Sequence, residues 1–151
     1  MTKTMDTKEY LDMVRQLLDQ GHDRITVPVT GSSMIPFLHH GDTVYVSKPD
    51  SPLKPGDIVL YQRANGQYIL HRIVKVHKDG SFTMLGDAQA EREILPSAHQ
   101  IHARVVQALH CGKPLRPRSF RWWFFRHIWI RIVPLRHPAM KLVGKLKNSR
   151  R

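Results

Sequence analysis

With one cysteine, Cys111, among 151 residues, the chain has no internal disulfide framework, and its Cys-Gly-Lys-Pro setting reads as an ordinary turn. Long apolar runs are missing as well. No stretch approaches the roughly 20 consecutive apolar residues of a membrane-spanning helix. Met1 to Tyr10 is polar, without the apolar centre of a secretory signal. The expectation is a chain that stays in the cytoplasm or lies on a membrane surface as a peripheral protein. Acidic residues are absent from the last quarter: residues 113–151 carry 12 Lys/Arg and no Asp or Glu, whereas residues 1–112 carry 12 Lys/Arg and 12 Asp/Glu. The net charge of +12 therefore belongs to a basic tail on a neutral body. His39-His40 and the pair His99 and His102 lack accompanying cysteines or carboxylates at metal-ligand spacing. No metal and no cofactor is expected.

What is present reads as a β domain between a helix and a tail. Asp6 to Gln20 has helical periodicity, with Asp6 and Glu9 as a capping box, Leu11, Val14, Leu17 and Leu18 on one face, and Gly21 as the stop. From Arg24 the period changes to two. Strands are predicted over Ile25–Val29, Thr43–Ser47, Ile58–Gln62, Tyr68–Val76, Ser81–Leu85 and Ile101–Leu109, joined by turns such as Ala64-Asn65-Gly66-Gln67 and Lys78-Asp79-Gly80. The fold class is all-β, a mainly antiparallel sheet or barrel, with an N-terminal helix and a partly helical, basic C-terminal tail. The organisation is residues 1–23 as helix, 24–112 as the β domain and 113–151 as the tail.

One turn carries chemistry: Thr30-Gly31-Ser32-Ser33-Met34-Ile35-Pro36, at the end of the first strand. A glycine before two serines and a proline behind them can hold a hydroxyl at a sheet edge. Amide hydrolysis by serine needs a base within reach and donors for the oxyanion. His71 is the leading base, because Ile69-Leu70-His71-Arg72-Ile73-Val74 is an apolar strand whose alternation sets His71 beside Ile69 and Ile73 and turns Arg72 to the other face. Asp87, after the fifth strand, is the candidate to orient His71. Asp42 and Asp57, in the two earlier Gly-Asp pairs, read as turn aspartates bonding backbone. Lys75, an even number of residues from His71, is the competing base and is disfavoured. A histidine base predicts loss of activity on acidification near its ordinary pKa of ~6.5.

Gly31-Ser32-Ser33-Met34-Ile35-Pro36, Gly41-Asp42, Leu53-Lys54-Pro55-Gly56-Asp57-Ile58-Val59, His71-Arg72-Ile73 and Gly86-Asp87 together resemble, in order and spacing, the boxes of type I signal peptidases. The resemblance covers about residues 24–109. It is to the branch with a histidine base and its short S24/S26 relatives. It implies Ser33 as nucleophile, Ser32 as a bystander, His71 as general base and Asp87 as its supporting acid. It also implies an oxyanion site that includes the Ser33 backbone N–H, and Met34 at the edge of a pocket for a small substrate side chain. Two features depart from it. Gly31 stands where some members place a hydroxyl donor, and Ala88-Gln89 follows Gly86-Asp87 where asparagines are usual. The transmembrane anchor of signal peptidases is not seen at either end, which favours a soluble or peripheral enzyme acting on a leader peptide.

The tail segment Ser119 to Val133 holds all three tryptophans, interleaved with arginine. Trp122, Phe125, Trp129, Ile132 and Val133 share a helical face, before Pro134 and Pro138. Residues 119–145 read first as an anchor on an anionic membrane surface, second as a segment docking on the β domain or on a partner protein. Specific nucleic-acid binding is not expected. The function expected is a serine endopeptidase acting on a leader or signal peptide after small residues. The alternatives are a catalytically silent peptide-binding module of the same fold and a self-cleaving regulator of the same clan.

Overall fold

The computed structural model describes residues 7–132. The first helix, α1, runs Thr7–Asp19 and buries Leu11, Val14 and Leu18. Its predicted cap, Asp6, lies outside the described residues. The stop is a Schellman closure: Gly21, at φ 93°, donates to the Leu18 carbonyl and His22 to that of Leu17.

Eight strands follow: β1 (Ile25–Pro28), β2 (Thr43–Ser47), β3 (Ile58–Gln62), β4 (Tyr68–Val76), β5 (Phe82–Leu85), β6 (Glu93–Leu95), β7 (Ile101–His110) and β8 (Lys113–Leu115). They form one sheet in the order β1-β2-β7-β3-β4-β5-β6, with β8 also on β7. Every pairing is antiparallel. The all-β expectation is thus met, and six strands fall within a residue or so of their predicted limits. The two short strands, β6 and β8, were not predicted. Cys111 and Gly112, at φ 51° and 74°, make the two-residue turn into β8, a geometry that requires positive φ at both positions.

The central strand β3 is buried on both faces, so its alternation divides the interior in two. Ile58 and Leu60 join one core with α1, Val27, Met34, Phe37 and Val44. Val59 and Tyr61 join the other, with Ile73, Phe82, Met84 and Leu95. In the β3–β4 register Val59 faces His71 and Ile58 faces Arg72. His71 therefore sits on the Tyr61 side and Arg72 on the Phe37 side, as alternation predicted.

After β8, a second helix, α2, spans Phe120–His127 with Ser119 as N-cap, and one turn of 3₁₀ helix covers Trp129–Ile132. Trp122 and Phe125 are buried in the first core, each ring about 5 Å from that of Phe37. Burying a side chain of this size contributes about 1.5–3 kcal/mol. Arg121 donates to the carbonyls of Pro36 and Phe37, and Arg126 to Asp57 at 2.7 Å. Trp122 and Phe125, two members of the aromatic face, thus dock on the β domain, while Phe120 and Trp123 stay exposed. A helix face of Trp and Phe carries the same apolar signal for either destination, and Trp122 and Phe125 take the docking one. Val133 and the rest of the 119–145 segment lie outside the described residues.

Candidate active site

The serine turn hangs between β1 and β2. Val29 donates to the Asp42 carbonyl and Gly41 to that of Val29, which closes the loop at its base. Gly31, at φ 80°, takes a conformation that side-chain-bearing residues avoid, and its N–H donates to His40 Nδ1. Asp42 accepts from the His39 N–H and contacts His110 Nδ1 at 2.8 Å, while Asp57 accepts from the Lys54 N–H. Both are the turn aspartates expected. The turn leaves Ser32 exposed, sets Ser33 half-buried and buries Met34.

Ser33, Met34 and His71 all line one cavity of about 510 Å³, whose walls include Val27, Val29, Leu60 and Leu70. That volume is in the range of pockets that take a small ligand or a few side chains. Lys75 is exposed and does not line it, although the β4–β5 pairing carries an irregularity between Ile73 and Lys75. His71 is 5% exposed. Burial pushes its pKa down to about 4, against the opposing pull of the Glu93 carboxylate. Arg63 adds to the lowering, and Asp87 opposes it more weakly than Glu93 does. At neutral pH the imidazole is therefore uncharged and able to accept a proton.

Asp87 is not where the orienting acid was expected. Its two carboxylate oxygens accept from Nε and Nη2 of Arg72, each at 2.8 Å, and both side chains are almost completely buried. Arg72 spends a further N–H on the Gly56 carbonyl. The pair holds the Gly86-Asp87-Ala88 turn against the serine. Ala88 donates to the Ser33 carbonyl at 2.9 Å, and a Cβ placed on Gly86 would come within 2.6 Å of that same oxygen. Gly86 is a glycine because the serine backbone passes too close for anything larger. Ala88 contributes through its backbone N–H, a contact in which its side chain takes no part. From the tail, Trp129 Nε1 donates to the Asp87 carbonyl at 3.1 Å.

The group that does touch the His71 ring was not foreseen. Tyr61 Oη lies 3.3 Å from Nδ1 and donates to Glu93 at 3.0 Å. Arg63 grips Glu93 through two bonds of 2.8 Å. One signal was available: the Asn65-Gly66 turn sets Tyr61 opposite Ile69, hence diagonal to His71 on the same face. Among the described residues, no three His, Cys, Asp or Glu side chains gather as metal ligands would.

A half-buried turn serine and a neutral strand histidine lining one cavity of an antiparallel sheet mark a candidate hydrolytic site. Comparison with known proteins makes the class specific. The family model described as Peptidase S24-like matches residues 1–106, and the chain belongs to that family. The signal peptidase complex catalytic subunit sec11 of Dictyostelium discoideum is 32% identical over 63 residues, 41% of this chain. The match spans only 35% of that relative's length. No solved structure matches. Together these findings support a signal-peptidase-like peptidase, as the ordered boxes implied. No described helix is long and apolar enough to cross a membrane.

Proposed function

We propose that this protein is a serine endopeptidase that cleaves a leader or signal peptide after small residues, with Ser33 as nucleophile and His71 as general base. The observation that supports the reading is the shared cavity: the half-buried Ser33 and the neutral His71 both line the same 510 Å³ space. His71 takes the Ser33 proton as Oγ attacks the scissile carbonyl, and the Ser33 N–H helps stabilise the oxyanion. The proton then passes to the leaving amine, the C–N bond breaks, and an acyl-enzyme remains. Water, deprotonated by the same imidazole, hydrolyses the ester and restores the serine. Asp87 serves this chemistry indirectly, by bracing the turn behind Ser33 through Arg72.

An extended peptide would run along the edge strand β1 and the Val29 that follows it, since Val27 and Val29 line the cavity. Pairing would start beyond Thr26, whose carbonyl already accepts from Tyr10 Oη at 2.6 Å. A peripheral membrane location is part of the proposal, resting on the exposed Phe120 and Trp123, at 76% and 47%, and on the basic composition of residues 113–151. Co-sedimentation with anionic vesicles, lost in a Phe120→Ala/Trp123→Ala variant, checks that part.

The test of the activity is a library of peptides with small residues around the scissile bond, presented to wild type, Ser33→Ala and His71→Ala. Cleavage by wild type alone is the expected result. Equal cleavage by Ser33→Ala would overturn the nucleophile, and a wild type silent with vesicles present would favour a peptide-binding module.

A further inference from the structure

Behind His71 lies a chain of side chains that takes no part in bond making. The His71 ring borders the serine cavity and also a second recess lined by Arg63, Met84 and Glu93. Beneath it, the fully buried Tyr61 sets its Oη between His71 Nδ1, at 3.3 Å, and Glu93 Oε2, at 3.0 Å. A phenol has one proton to donate. Glu93 is the stronger acceptor, because two bonds of 2.8 Å from Arg63 fix its carboxylate and hold its pKa below the ordinary value. Burial keeps the proton on Tyr61 by raising that pKa well above 10. With its proton committed to Glu93, the Tyr61 oxygen meets the imidazole only as an acceptor. The ring hydrogen then belongs on Nδ1, and Nε2 keeps its lone pair.

We infer that Tyr61 and Glu93 are positioning residues that hold His71 in the Nδ1–H tautomer, leaving Nε2 free to accept the Ser33 proton. They supply, through a hydroxyl, the orientation that a carboxylate commonly gives a catalytic histidine directly. Asp87, committed to Arg72 on the other side of the sheet, is thereby released from that role. The catalytic consequence rests on the Ser33–His71 reading, but the tautomer is a property of the free protein and is read without substrate.

The experiment is a long-range ¹H–¹⁵N spectrum of the His71 ring, recorded at neutral pH in wild type, Tyr61→Phe and Glu93→Gln, with thermal unfolding as the check on folding. Wild type should show Nδ1 protonated. Tyr61→Phe, which removes one oxygen, should lose that preference, and kcat should fall about tenfold or more with KM little changed, a fraction of the ~10²–10⁴ that general-base catalysis contributes. Glu93→Gln removes the anion that favours the imidazolium and leaves Arg63 opposing it, so the His71 titration moves further down in pH. The other charged group acting on the ring, Asp87, is untouched in both. Protonation of wild-type Nε2, or an Nδ1–H that survives Tyr61→Phe, overturns the inference. Should Tyr61→Phe fail to fold, Glu93→Gln decides: an unmoved His71 titration overturns it. A wild type that shows the tautomer and its loss in Tyr61→Phe yet cuts no peptide sinks the serine-peptidase reading alone. A wild type that cuts peptide with an indifferent tautomer sinks the positioning role alone.

Discussion

Replacing Asp87 by alanine separates an acid that works on His71 from a brace that works on the fold. In the structure the carboxylate faces a guanidinium with 0% exposed side chain, and its own side chain is 1% exposed. Removing it leaves Arg72 charged, buried and short of two acceptors, with only the Gly56 carbonyl remaining. Breaking one side of a buried pair costs about 3–5 kcal/mol. Against a typical domain stability of about 5–15 kcal/mol, that is a large fraction. At about 2–4 °C per kcal/mol for a chain of this size, the melting temperature should drop by about 6–20 °C. Urea unfolding should show the same loss as a lower midpoint at unchanged slope. Replacing both partners, Arg72→Met with Asp87→Leu, removes the stranded charge and should recover most of the stability. Turnover should follow the fold: lost in part with Asp87→Ala, and regained with the apolar pair. The reasoning is refuted if Asp87→Ala melts within about 2 °C of wild type while kcat falls ~100-fold or more, for then the carboxylate acts on the chemistry.

Acidity gives a second handle. His71 sits at about 4 in the folded protein and near the ordinary ~6.5 in the unfolded chain, so kcat/KM should hold through pH 6 and fail only toward 4. An acidic limb at 6.5, as the sequence alone suggested, would mean the imidazole is better solvated than its surroundings imply. The same depression makes the unfolded chain the better proton acceptor. The His71 contribution to stability is therefore intact above about 6.5 and shrinks by on the order of 3 kcal/mol as pH falls to about 4, readable in urea midpoints against a His71→Gln control. Gly86→Ala drives a methyl group into the Ser33 carbonyl, 2.6 Å away, and should lower kcat roughly 100-fold by displacing the nucleophile, with a smaller effect on KM. Unchanged kcat in that variant would show that the turn can give way. Trp122→Ala should cost about 3–5 kcal/mol in unfolding experiments, whereas the exposed Phe120→Ala should stay within about 0.5 kcal/mol of wild type.

The parts legible in sequence were those written in short-range patterns. Alternation from Ile25 onward, the Asn65-Gly66 turn and the glycine stop of α1 each reflect backbone preferences within a few residues, and the structure follows them. Ser33 and His71 stood out as candidates because a serine turn at a strand end and a lone histidine in an apolar strand break those patterns. The partner of Asp87 was not, since Arg72 and Asp87 meet across a sheet and either the histidine or the arginine of neighbouring positions could have claimed the carboxylate. Glu93 sits in the three-residue strand β6, too short to show a period, so neither the strand nor its charge stood out. The destination of Trp122 and Phe125 depended on Phe37, far away in sequence and equally silent about its neighbours.

The bonds from Arg121 to the carbonyls beside the serine turn have a consequence for the order of events during synthesis. Donor and acceptor are 85 residues apart in the chain. At about 5–20 residues per second, the ribosome makes the serine turn on the order of 5–20 s before the arginine that bonds the carbonyls beside it. Trp129, which holds the carbonyl of Asp87, is made later still. A growing chain thus carries the serine, the histidine and the whole sheet while both of these clamps are still unmade. The segment from Arg121 to Trp129, which clamps both turns, is thus translated only after the sheet that it secures.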